Sequence, residues 1–291
     1  GAATARDVAV DAGGNRYVVG DFTGMVDFGQ GTAQSCVLDA DEGNLFVAKL
    51  DPSNALVWAR SFGGTSGGRG NSIAVDPAGT IHVGGVFRSQ GDFEPGDGTK
   101  LLRTSSGADA AFLLRLDDQG EFIWAGAFTG GTNTSVLTLA ADAAGNTFLS
   151  GTFSGRVDFD PGDGLYVVSS VSVSSSNTFL ARIDASGQLG WASKIGAFDS
   201  CPAIVDMALD FAGNPYLVGA FANTFDFDPG AGTYELTGVG QDGFVLKLTA
   251  AGEFVWAQAL SGPYTDAANG VAVDHAGNVL ATGQFCNSID L

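Results

Sequence analysis

Short apolar runs recur along the chain, each closed by a cluster of turn-forming residues. No segment combines a cap, an apolar face of about ten residues at helical spacing and a stop. In one stretch the runs read "SIAVD", "IHVGGVF", "AFLLRLD" and "EFIWAGAF", joined by "DPAGT" and "DDQGE". Four short strands follow from that pattern. The turns supply Asp side chains that mimic a backbone bend and a Gly free to take positive φ, as hairpin connections require. The runs are apolar throughout rather than alternating, so each sheet is expected to bury both faces.

The pattern repeats. The Asp that closes each first run stands at Asp11, Asp76, Asp142, Asp210 and Asp274, at spacings of 65, 66, 68 and 64 residues. Three residues later comes Gly14, Gly79, Gly145, Gly213 or Gly277, and nine later Gly20, Gly85, Gly151, Gly219 or Gly283. Eleven later comes Phe22, Phe87, Phe153, Phe221 or Phe285, and sixteen later Asp27, Asp92, Asp158, Asp226 or Asp290. Farther on stand Phe46, Phe112, Phe179 and Phe244, then a base (Lys49, Arg115, Arg182, Lys247), then Trp58, Trp124, Trp191 and Trp256. Four-stranded units at a ~66-residue period predict an all-β fold, a β-propeller of stacked blades. The units run over residues 6–71, 72–137, 138–205, 206–269 and 270–291. The last has only the first hairpin, which gives four complete blades plus half of a fifth and reads as a segment of a longer repeat protein.

The Gly nine positions after each key Asp falls inside the second strand, which predicts a close approach, by an aromatic ring of the next sheet. Between the second and third strands lies an insert with "GDFEPGDGTK", "VDFDPGDG" or "FDFDPGAGT" and a further run such as "TKLLRT", a candidate fifth, outer strand. The pattern "VDxxGNxYxxGxF", then "DFDPGxGT", then "FVxKLDxxGxxxWA" closely resembles the bacterial SBBP-type β-propeller repeats of large secreted and surface proteins. "DAAGNTFLSGTFSGRVDFDPGDG" and "DGFVLKLTAAGEFVWAQAL" are its clearest matches. The resemblance implies similar blades and an exported, multidomain parent, and brings no catalytic residue. The first unit departs from it, since "VDFGQGTAQ" lacks the Pro-Gly pair.

Composition narrows the partners. A formal charge of −19, from 32 acidic and 13 basic residues, repels phosphate backbones and anionic membranes. Nucleic acid and membrane insertion are therefore excluded, and no apolar run reaches the ~18 residues of a spanning helix. Divalent cations, a protein or surface glycan, a larger surface assembly and simple solubility remain. Cys36, Cys201 and Cys286 lack metal spacing; a Cys201 to Cys286 bridge or three free thiols both fit.

The candidate chemistry is thin. Asp92, Glu94 and Asp97, Asp158, Asp160 and Asp163, and Asp226 with Asp228 crowd Pro-Gly turns, and their oxygens suit Ca²⁺. In the alternative reading Asp158 and its equivalents accept backbone hydrogen bonds, or pair with the recurrent base of the third strand. The tryptophans read as core. His82 and His275 have no ligand or nucleophile at useful spacing, and no catalytic residue is assigned. The expected function is a noncatalytic extracellular or cell-surface scaffold or interaction module that needs no cofactor. A Ca²⁺-stabilised adhesion module is one alternative. The other is a propeller hydrolase or lyase acting on polysaccharide, which requires nonrecurring polar residues to converge at the ring axis.

Overall fold

The computed structural model describes residues 1–29, 35–40, 43–63, 67–94, 98–104, 107–172, 176–196 and 203–286, and every regular element among them is a β-strand. Blade 1 comprises β1 (Ala2–Val10), β2 (Arg16–Thr23), β5 (Asn44–Leu50) and β6 (Leu56–Phe62), with β3 (Val26–Asp27) and β4 (Val37–Leu38) in its insert. Blade 2 has β7 (Gly68–Val75), β8 (Ile81–Arg88), β11 (Asp109–Leu116) and β12 (Phe122–Phe128), with β9 (Gln90–Asp92) and β10 (Leu101–Arg103) in the insert. Blade 3 has β13 (Ser135–Ala141), β14 (Thr147–Phe153), β17 (Asn177–Ile183) and β18 (Leu189–Ile195), with β15 (Arg156–Asp158) and β16 (Val167–Ser169). Blade 4 is β19 (Ala203–Leu209), β20 (Pro215–Asp226), β21 (Glu235–Leu248) and β22 (Phe254–Leu260), and β23 (Ala267–Val273) with β24 (Val279–Gln284) forms the last hairpin.

Within each blade the four strands pair antiparallel in chain order. First strands pack on first strands: β7 touches β1 and β13, and β19 touches β13 and β23. They therefore line the axis, with the fourth strands outermost, and the fold is a β-propeller. The largest apolar cores are each shared by two neighbours. One cluster joins Tyr17 and Val47 of blade 1 to Ile81 and Phe112 of blade 2, and two more join blades 2 to 3 and 3 to 4. Strands buried on both faces, such as β11, follow from that stacking.

The turn chemistry works locally. In the third unit Asp142 Oδ1 accepts the amides of Ala144 and Asn146, both at 2.9 Å, while Oδ2 accepts Asn146 Nδ2 at 2.7 Å. Gly145 closes the turn at φ 79°. The second turn repeats the device: Asp184 Oδ1 takes the amides of Ser186 and Gln188, with Gly187 at φ 85°. These bonds span at most four residues, so the local sequence is enough to form them.

Two expectations are corrected. The close neighbour of the second-strand glycines belongs to the same sheet. A Cβ on Gly151 would overlap the carbonyl of Ser135 and stand 2.9 Å from Phe179 Cε1. Ser135 lies where the first strand bulges, between Val136 and Thr138, and the bulge swings its carbonyl over the glycine. Gly85 meets Arg69 and Phe112 in the same way. The extra run in the insert is no fifth blade strand either. Leu101–Arg103 pairs with Gln90–Asp92 of its own insert, because the chain reverses within that segment. In blade 4 the corresponding pairing continues β20 and β21, with Phe225 opposite Leu236.

Candidate functional site

The inserts leave the ends of the second strands and reach back to the preceding blade. Asp158 exchanges backbone hydrogen bonds with Thr129 at the end of blade 2, and Asp92 does so with Gly63 at the end of blade 1. Phe159, fully buried, enters a ring cluster with Phe153 and Phe179 at centroid distances of 5.6 and 4.8 Å. Phe93 and Phe227 do the same in blades 2 and 4. Burying such a ring stabilises the fold by about 1.5–3 kcal/mol, so the motif plugs the blade it leaves.

The acids beside that plug face their own loop. Asp158 Oδ1 accepts the amides of Asp160 at 3.0 Å and Tyr166 at 2.8 Å. Asp226 Oδ1 takes those of Asp228 and Tyr234, and Asp92 Oδ1 those of Glu94 and Lys100. Asp160 and Asp228 bind the amides of Gly162 and Gly230. Glu94 folds over Gly98, Asp163 is exposed, and Asp97 lies outside the described residues, as does Asp290. Among the described residues no three acidic, His or Cys side chains gather at metal-binding distance. The backbone-acceptor alternative is what the geometry displays.

The recurrent bases do not pair with these acids, which corrects that reading. Lys49 and Arg115 reach into the outer turn of the next blade, Lys247 meets Tyr216 Oη and Asp210 Oδ2 of its own blade, and Arg182 rests against the Phe148 ring. Lys49 Nζ donates to Asp118 O at 2.9 Å, and Arg115 Nη1 to Asp184 O and Ala185 O at 2.7 and 3.0 Å. The tryptophans run beside them. Trp58 Nε1 donates to Asp118 O, Trp191 Nε1 donates to Ala250 O, and Trp58 lies 3.1 Å from where a Cβ on Gly120 would stand. Trp58, Trp124 and Trp191 pack against the turn of the next blade, where a Cβ on Gly120, Gly187 or Gly252 would meet the indole.

At the axis a polar cavity of about 340 Å³ is lined by the first strands of all four blades. The residue four before each key Asp faces it: Asp7, Ser72, Thr138 and Asp206. Asp7 Oδ2 accepts Ile73 N at 2.9 Å and Ser72 Oγ at 3.0 Å, Ser72 Oγ accepts Leu139 N, and Asp206 Oδ2 accepts Val271 N. Side chains thus stitch β1 to β7, β7 to β13 and β19 to β23. Burial pushes the Asp206 carboxyl above the usual carboxylate range, and Asp7 adds to the rise. Sequence reasoning missed these residues. The available signal was a polar interruption at one fixed place in otherwise apolar first strands.

His82 is buried between Thr147 Oγ1 at 2.8 Å and Asp76 Oδ2 at 3.4 Å, and burial holds its imidazole below the ordinary histidine value. His275 is exposed in its turn. Cys36 and Cys286 are free thiols, and Cys201 lies outside the described residues.

No family model matches the chain. It is similar to an uncharacterized WD repeat-containing protein of Acanthamoeba polyphaga mimivirus, 26% identical over 207 aligned residues that take in 62% of this chain. The chain carries β-propeller repeats. It spans 15% of the length of that curated relative.

Proposed function

We propose that this β-propeller is a noncatalytic interaction module on the outside of a cell, with partner proteins docking on the face that carries the inserts. The observation that carries the reading is the division of labour in each unit. Recurrent charged and aromatic side chains end on the next blade or in their own loop, whereas the insert hairpins hold large apolar residues out in solvent. Leu165 is 78% exposed and Val239 69%, with Tyr166, Tyr234 and Leu101 beside them in kind. Exposed apolar groups carried on one set of hairpins mark a contact surface. The SBBP-type resemblance of the repeats supports the extracellular setting.

The test is a binding assay against surface proteins of the source cell, with the whole chain and a variant carrying Leu165→Ser, Tyr166→Ser and Val239→Ser. Saturable binding lost in the variant, with melting unchanged, is the expected result. Turnover of a polysaccharide that disappears in Asp206→Asn would replace the reading with an axial enzyme.

A further inference from the structure

A catalytic or binding site is one place, so residues that do not recur from blade to blade point to it better than those that do. Five of them meet in a cleft of about 280 Å³ between blades 1 and 2: Arg6, Arg69, Arg88, Asp21 and Asp109. The equivalents of Arg6 are Asn71, Leu137 and Val205. Those of Arg69 are Thr4, Ser135 and Ala203, and those of Arg88 are Thr23, Ser154 and Ala222. Blade architecture therefore demands none of the three arginines. In a chain with 13 bases against 32 acids, three guanidinium groups in one cleft form a local reversal of charge.

Two of the three are held. Arg6 pairs with Asp21, and Arg88 Nε donates to Asp109 Oδ1 at 2.7 Å. Arg69 is exposed at the cleft, and its guanidinium makes no ion pair or hydrogen bond among the described residues. The cleft thus carries one surplus positive charge, on a planar fork that matches a carboxylate. Its aspartates, each held by one donor, retain lone pairs for hydroxyl groups. A polyanion would meet the field of the −19 chain around the cleft, whereas a compact monoanion meets only the local excess. The volume is that of a ligand of monosaccharide size.

We propose that this cleft binds a small sugar acid, with its carboxylate on Arg69 and its hydroxyls on Asp21 and Asp109. Isothermal titration of the full chain with glucuronate and with glucose, which replaces the carboxylate by a neutral group, tests it. Saturable glucuronate binding is expected, with glucose about ten-fold weaker or more, since a charge-assisted pair is lost. Arg69→Gln should weaken glucuronate by about the same factor without moving the melting temperature, and Arg69→Lys should weaken it less. Absence of saturable glucuronate binding, equal affinity for the two sugars, or unchanged affinity in Arg69→Gln overturns the proposal. None of these outcomes bears on protein docking at the insert face, which the binding assay above reads separately.

Discussion

The junction between blades 2 and 3 and the junction between blades 3 and 4 are built from the same repeat positions and closed in opposite ways. At the first, Arg115 is buried and donates to the carbonyls of Ile183, Asp184 and Ala185 and to Thr147 Oγ1, which also meets His82. At the second, Arg182 makes none of those bonds and rests 5.9 Å from the Phe148 ring centre, while Trp191 takes the Ala250 carbonyl and Phe148, Met207, Leu217 and Leu248 fill the contact. Phe148 holds the place of His82 in the unit. The repeat thus brings two donors, a base and an indole, to one carbonyl of the next turn. Between blades 1 and 2 both reach it, on Asp118 O; between blades 2 and 3 the base does, and between blades 3 and 4 the indole does while apolar packing surrounds the base. Blade stacking constrains the position of the contact more than its chemistry.

The strongest way to break this contrast is to remove the base on each side. Arg115→Met leaves several buried carbonyls without a donor and should cost about 3–5 kcal/mol in denaturant unfolding, whereas Arg182→Met should cost under about 1 kcal/mol. Equal costs would show that the two junctions are held alike. Gly85→Ala and Gly151→Ala supply the control, because the bulge carbonyl above each glycine recurs. Both should lose about 3 kcal/mol, read as matched falls in melting temperature.

Asp158→Ala loosens the loop that ties blade 3 back to blade 2, at a cost of about 1–2 kcal/mol. With the Asp158 carboxylate bound to two loop amides, the loss should be the same in EDTA and in millimolar Ca²⁺; a Ca²⁺-dependent loss would make the loop a metal site. Trp191→Phe deletes the hydrogen bond to Ala250 and should cost about 1 kcal/mol beyond the cost of Trp124→Phe, where Arg115 occupies the equivalent carbonyl.

The smallest effect is one of pH. Burial holds His82 below its ordinary value of 6.5, so the unfolded chain takes up the proton first as pH falls. Stability should decline below pH 6.5 until the folded-state value is reached. His82→Phe, which copies the next blade, should abolish that slope. Asp76 acts in a separate window. Burial would raise its carboxyl, but the bonds from His82 and Thr80 hold it below 3.8, so its contribution is lost only in stronger acid.

Much of this architecture is legible along the chain, and the reason is local. The Asp142 and Asp184 turns close within four residues, and the glycines that end them need positive φ wherever they occur. Their recurrence marks strand ends, blade boundaries and the class of fold. The "DFDPGDG" carboxylates belong to the same level, since Asp158 binds amides two and eight residues away. Proximity in sequence also misled. The Asp of the insert and the base of the third strand recur together in every complete unit, yet they lie toward opposite ends of the blade and never pair.

Composition, turn chemistry and period follow from interactions a few residues long, and the chain specifies them unaided. The partners of Arg115, Trp58 and Asp7 are different in kind, because they lie 32 to 70 residues away on the next blade. Stacking is needed to bring those units into register. Arg6, Arg69 and Arg88 show the limit most clearly: they occupy three different places in the repeat and share no pattern. The packing of β1 on β7 and the pairing of β7 with β8 bring them to one cleft, and long-range geometry of that kind leaves no periodic mark in the sequence.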